Sequence, residues 1–220
     1  MNIDALIQII TIGAIPFLFA ITLHEAAHGY VARYFGDLTA YAQGRISLNP
    51  MRHIDPIGTI LIPLLLLWMT SGKFAFGWAK PVPVNFAALR HPKQDMLWVA
   101  LAGPTANLVM ALFWAAMYKV VFMIPGSYFA EPLIGMAEFG VKINAILMVL
   151  NLLPLPPLDG GRIAISLLPH KQANQLAKVE PYGIVILILL AVVPVAGQPI
   201  LSRVLSPLVG LIIRLIETIF

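Results

Sequence analysis

The sequence predicts an all-α polytopic membrane protein, a bundle of about five to six transmembrane helices. A re-entrant or strand-like insertion is expected between the first helix and the later helix that contains GPTAN. Two observations carry this class. Of 220 residues, 60% are hydrophobic and 11% charged, with a mean hydropathy of +0.88, whereas soluble domains carry about a quarter charged residues. The apolar residues are also gathered into long runs separated by short polar connections, which favours one compact helical bundle over a string of domains. Residues 1–220 therefore read as a single domain, a core at about 5–168 followed by C-terminal helices at about 181–220.

Composition also excludes several classes. A formal net charge of +4, with basic residues scattered between apolar spans, marks topology rather than a nucleic-acid surface. Cysteine is absent, so disulfides and thiolate ligands are excluded, and any metal rests on imidazole and carboxylate. The opening MNIDALIQII has no basic segment and no small-residue cleavage site follows it, which argues against a removed signal peptide.

Taken in order, residues 5–35 are long enough, at about 1.5 Å per residue, for one tilted crossing with a protruding last turn. Pro16 is expected to kink this helix, and Gly36-Asp37 to end it. Residues 40–50, AYAQGRISLNP, have the turn-forming character of a strand-and-turn excursion. Residues 57–69 form a second apolar run, broken by Pro63 and short for a full crossing. Pro81 and Pro83 make the stretch after it extended. Residues 94–124 and 133–153 read as the next two spans, of opposite sense, and the second ends in NLLPLPPLDGGR. After a polar stretch, residues 182–195 and 200–216 read as two further helices, the first of them short.

Positive residues mark the cytoplasmic side. Arg33, the pair Arg90 and Lys93, and the group Arg162, Lys171 and Lys178 place three helix ends there and the amino terminus outside. The chain between the first and third runs then crosses an even number of times or not at all, which favours a re-entrant 57–85.

The chemistry rests on His24-Glu25-Ala26-Ala27-His28. Residues four apart share a helical face, so both imidazoles can meet one ion while Glu25 stays close enough to handle the proton of a water. A solvated polar patch is the bland reading of such a pattern. Burial in an apolar span makes that reading expensive. Two histidines leave a catalytic zinc site one protein ligand short. Asp37 follows the helix end and suits a capping or solvent role, Asp55 with Pro56 suits an N-cap, and Asp95 suits another cap. Asp159 differs: it lies in a proline-rich stretch at the membrane side predicted for the histidines, where non-helical backbone persists against protein or a wet cavity. Its bland reading is an Asp-Gly turn. Asn144 and Asn151 share a face of the fourth helix, and Asn107 sits near Gly103 and Ala106. Asn107 and Asn144 read equally as interhelical hydrogen-bonding groups or as site lining, while Asn151 favours the site.

HEAAH in the first helix, AGPTAN in the third and NLLPLPPLDGGR after the fourth together resemble the site-2 protease family of intramembrane zinc metalloproteases, over about residues 19–163. The resemblance implies one zinc ion per chain held by His24, His28 and Asp159, with Glu25 as general base and Asn107 and Asn151 lining the site. It implies transmembrane protein substrates, cut in regulated intramembrane proteolysis or in clearing signal-peptide remnants. It also implies a multi-pass protein of the cell membrane with its site toward the cytoplasm. Ala-Ala stands where many relatives have a glycine before the second histidine, a small-for-small change. No stretch long enough for an inserted PDZ domain separates the first and third helices and no soluble domain follows the last, so a minimal form is expected, its gating left to an accessory membrane partner or a homo-oligomer. Residues 40–50 and 76–84 could each offer an edge to an unwound substrate. The rival class is a membrane metal-ion transporter or non-proteolytic metal-binding protein, in which buried His and Asp hand on an ion.

Overall fold

A computed structural model of the chain describes residues 3–69, 77–124, 128–195 and 197–220, with side chains from residue 7 onward. Helix α1 (Ile3–Tyr34) runs on through Pro16 and ends at Gly36, which takes a positive φ of 106°. Asp37 accepts the Thr39 N–H and also the Asn85 N–H, so it caps the next turn and is buried rather than solvated. That turn is α2 (Thr39–Ala42).

Residues 40–50 differ from the expected strand. Ala40 packs inward, the chain closes a helical turn, and Gly44 at φ 60° reverses it into a loop that ends in the 3-10 turn Pro50–Arg52. Asp55 caps as expected, accepting the Ile57 and Gly58 N–H groups. The π-wound stretch Pro56–Leu61 leads straight into α3 (Ile62–Met69), and the pair together is shorter than a membrane span. Residues 70–76 of the expected re-entrant segment, Phe76 included, lie outside the described residues. Residues 77–85 form neither helix nor strand, in keeping with Pro81 and Pro83, and Asn85 has an extended backbone. Trp78 N donates to Gly58 O at 3.0 Å and Thr59 Oγ1 to Trp78 O at 2.8 Å, so the chain returns to the point it left.

Helix α4 (Pro92–Phe122) opens with Asp95 accepting the His91 N–H, the cap expected of it. Helix α5 (Ala130–Asn151) returns beside it. α1, α4 and α5 pack pairwise, and these three are long and apolar enough to cross a membrane. Small residues at their contacts, Ala20, Ala26, Gly103, Ala111, Ala137, Gly140 and Ala145, let the backbones approach closely. Large apolar side chains such as Val109, Phe113 and Ile184 are left on the outer surface, as in a protein solvated by acyl chains.

Helix α6 (Asp159–Leu167) packs on α4. Helices α7 (His170–Ala177) and α8 (Glu180–Val192) meet at a 62° bend and reach span length only as a bent pair. A two-residue antiparallel pairing, Pro194–Val195 with Gln198–Pro199, leads into α9 (Ile200–Ile219). α9 lies antiparallel to α5: Leu205 shares a cavity with Ile146 and Leu150, and Glu217 shares one with Glu138 and Lys142. It is long enough to cross but carries Arg203, Arg214 and Glu217. The chain is thus an all-α multi-pass membrane protein built on the α1–α4–α5 trio.

Candidate metal centre

His24 and His28 stand one turn apart on α1, on the face packed against α4. The two helices run antiparallel, so their partners on α4 come in reverse order. His24 Nδ1 lies 2.7 Å from Asn107 Oδ1, and His28 Nδ1 lies 2.7 Å from the Val99 carbonyl oxygen. Gly103 is midway between those partners, and a Cβ there would collide with Nε2 of both rings. Glycine at 103 is therefore what lets α4 pass so close to the imidazoles.

Asp159 comes from the other half of the chain. α5 stops at Asn151, the prolines of 152–158 deny further helix, the Pro156-Pro157 bond is cis, and α6 begins at Asp159 itself. Gly160 and Gly161 nest against the backbone of 152–156, in space a Cβ would need. This seats Asp159 Oδ2 3.3 Å from His24 Nε2 and Oδ1 3.3 Å from His28 Nε2, with the two Nε2 atoms 3.1 Å apart.

The hydrogen bonds fix what these atoms can do. A carbonyl oxygen only accepts, so His28 Nδ1 carries its proton, and the Asn107 oxygen assigns His24 Nδ1 the same role. Both Nε2 atoms then present lone pairs to each other and to a carboxylate, whose Oδ2 is buried without a hydrogen bond. Neutral imidazoles and a carboxylate aimed at one point repel unless a positive charge stands there. Tetrahedral zinc, with bonds of about 2.0–2.1 Å, spaces its donors by about 3.3 Å. Separations of 3.1 to 3.3 Å and an N₂O donor set with one position left over fit such an ion. Among the described residues, this trio is the group of three or more His, Cys, Asp or Glu whose donor atoms lie within 4.8 Å of one another.

Glu25, between the two ligand candidates in sequence, is half-buried and accepts the Val82 N–H on Oε2 at 2.7 Å. Asn107 and Asn144 are both fully buried. The Asn107 amide donates to Ala20 O at 3.2 Å and to Asn144 Oδ1 at 3.0 Å, and Asn144 donates to Gly140 O at 2.8 Å. The two readings of Asn107 thus merge, since it joins α1, α4 and α5 and orients a ring of the site with one side chain. Asn144 reaches His24 through Asn107. Asn151 has no hydrogen bond to the trio: at the end of α5 its amide turns back to Leu147 O at 3.0 Å. The Val99 carbonyl and the Val82 N–H escape sequence reasoning, which names Gly103 only as a small neighbour of Asn107. For Gly103 a signal exists, since AGPTAN puts it one turn before Asn107 on the same face.

Residues 119–193, which include Asp159, match the family model described as peptidase family M50. The protein named "Putative zinc metalloprotease YwhC" from Bacillus subtilis is 37% identical over 209 residues, 94% of this chain and 91% of YwhC. "Putative zinc metalloprotease Rip2" from Mycolicibacterium smegmatis is 30% identical over 183 residues, 83% of this chain and 67% of that protein. "Putative zinc metalloprotease MJ0611" from Methanocaldococcus jannaschii is 28% identical over 169 residues, 74% of this chain and 72% of that protein. No solved structure matches.

Proposed function

The chain belongs to peptidase family M50, the site-2 protease type of zinc metallopeptidase, and from that premise we propose that it cuts transmembrane proteins within the bilayer, using one zinc ion per chain held by His24, His28 and Asp159. The observation that carries this reading is the convergence of two Nε2 lone pairs and a buried, unpartnered carboxylate oxygen on one point.

When bound, zinc supplies a Lewis acid that acidifies water and polarises a substrate carbonyl. The protein does the rest. Glu25, beside the ligands, takes the proton of the attacking water and returns it to the leaving amine. Asn107 and the Val99 carbonyl hold each ring with Nε2 inward, the kind of outer support that fixes a ligand's tautomer and direction. Asn151, at the last turn of α5, lines the path of an unwound substrate. A substrate helix hides its carbonyls in its own hydrogen bonds and must open before one reaches the site. Of the two segments read as substrate edges, 40–50 lacks a strand, and in 77–85 the Trp78, Lys80 and Val82 donors are already taken within the chain.

Basic residues at Arg33, Arg90 and Lys93 support a cytoplasmic-side site in the cell membrane. Regulated intramembrane proteolysis or clearance of signal-peptide remnants is the matching role, with gating supplied by a membrane partner or self-association. The test compares membrane proteomes of cells carrying the native chain or Glu25→Gln. Uncut single-span proteins should accumulate in the variant, which keeps its zinc. Identical proteomes, with zinc-dependent ion uptake instead, would favour the transporter reading.

A further inference from the structure

Residues 78–82 lead from Gly58 to Glu25 of α1, and every second backbone donor finds an acceptor. Trp78 N donates to Gly58 O at 3.0 Å and Lys80 N to His53 O at 2.9 Å. The next donor in that series, Val82 N, meets no carbonyl and donates to Glu25 Oε2 at 2.7 Å. With the donors at 78, 80 and 82 paired in turn, the place of the Val82 N–H is set by how the backbone at Lys80 and Pro81 is held. Arg45 holds it: Nη2 donates to Lys80 O at 3.0 Å and to Pro81 O at 3.1 Å. His53, whose carbonyl takes the Lys80 N–H, is itself fixed by Nε2 to Ser47 O at 2.8 Å. The Val82 side chain is buried against Gly29, one turn beyond Glu25.

Two further features separate this contact from ordinary packing. Positions 79, 81 and 83, which alternate with the paired donors, carry a single N–H among them, because two are proline. That side is a poor template for adding a substrate strand. Arg45 also makes both contacts from one nitrogen, Nη2, to two successive carbonyls, so the peptide between them cannot turn without losing one of them.

We infer that Arg45 is a positioning residue for Glu25: by gripping the Lys80 and Pro81 carbonyls it aims the Val82 N–H at one carboxylate oxygen and leaves the other free to move a proton. The inference rests on the reading of Glu25 as the base. An N–H bond to a carboxylate is charge-assisted, and fixing one oxygen removes the side-chain rotations that would otherwise be lost on reaching the transition state.

The test uses the full-length chain in detergent micelles with a quenched-fluorescent single-span peptide. Arg45→Ala should lower kcat by about 10- to 100-fold, the scale of a misplaced catalytic group, with KM within about twofold and zinc content unchanged; Arg45→Lys should recover part of it. Val82→Pro, which removes the donor and keeps the extended backbone, should match Arg45→Ala, and the double variant should be no worse than either. Hydrogen exchange of 77–85 should lose protection at Val82 in Glu25→Ala. Unchanged kcat in both single variants, additive losses, a rise in kcat, a loss confined to KM, or a parallel loss of zinc would each overturn the positioning role. If Glu25→Gln still cleaves, the base reading itself fails, whatever Arg45 does.

Discussion

His24 and Glu25 are neighbours on α1, yet the protein holds them by different means. The two histidines are locked from inside, by Asn107 and the Val99 carbonyl on α4, with Asn144 of α5 behind. Glu25 is held from outside the helical trio, by the backbone of an extended segment braced by Arg45 and His53. On the proposed function, metal holding rests on the packing that aims the two imidazoles and on the α6 start that seats Asp159, and proton transfer by Glu25 on a strap laid against α1. Damage to one side should leave the other standing.

Asp159→Ala should break the comparison most severely, losing both zinc and cleavage, read by metal analysis and peptide hydrolysis. Glu25→Gln sharpens it: cleavage falls by about 10²- to 10⁴-fold while zinc stays bound. Gly103→Ala strikes the helical side alone, because the added methyl meets both rings, and zinc affinity should drop more than in Asn107→Ala. That second variant removes the acceptor on His24 Nδ1 and should weaken zinc by about 10- to 100-fold, with Asn144→Ala below it, as measured by chelator competition. The smallest effect belongs to Glu180→Gln. It loosens the partly exposed ion pair with Arg162, and thermal unfolding should show a loss within about 1 kcal/mol with zinc affinity unchanged.

The sequence makes the long helices legible because an apolar run of 20 or so residues has few other fates. His24, Glu25, His28 and Asp159 are readable for a related reason: ionisable groups in such surroundings need a purpose. Residues 40–50 misled because Gly44 and the buried Ala40 favour a helical turn over a strand, a tertiary choice that local composition does not display. Asn151 reads from the sequence as site lining and Asn107 as either lining or interhelical bonding; the hydrogen bond to His24 comes from Asn107, since the antiparallel pairing of α1 and α4 decides which residues face each other. The Val82 contact is carried by a backbone N–H and has no signature in residue type.

The proposed function stands on one zinc ion shared by two imidazoles of α1 and a carboxylate at the start of α6. Metal analysis of the purified chain, with zinc K-edge absorption, tests it most directly. One zinc per chain is expected, in a shell of nitrogen and oxygen only, retained in Glu25→Gln and lost in Asp159→Ala. Native zinc content and an unaltered shell in Asp159→Ala would contradict it.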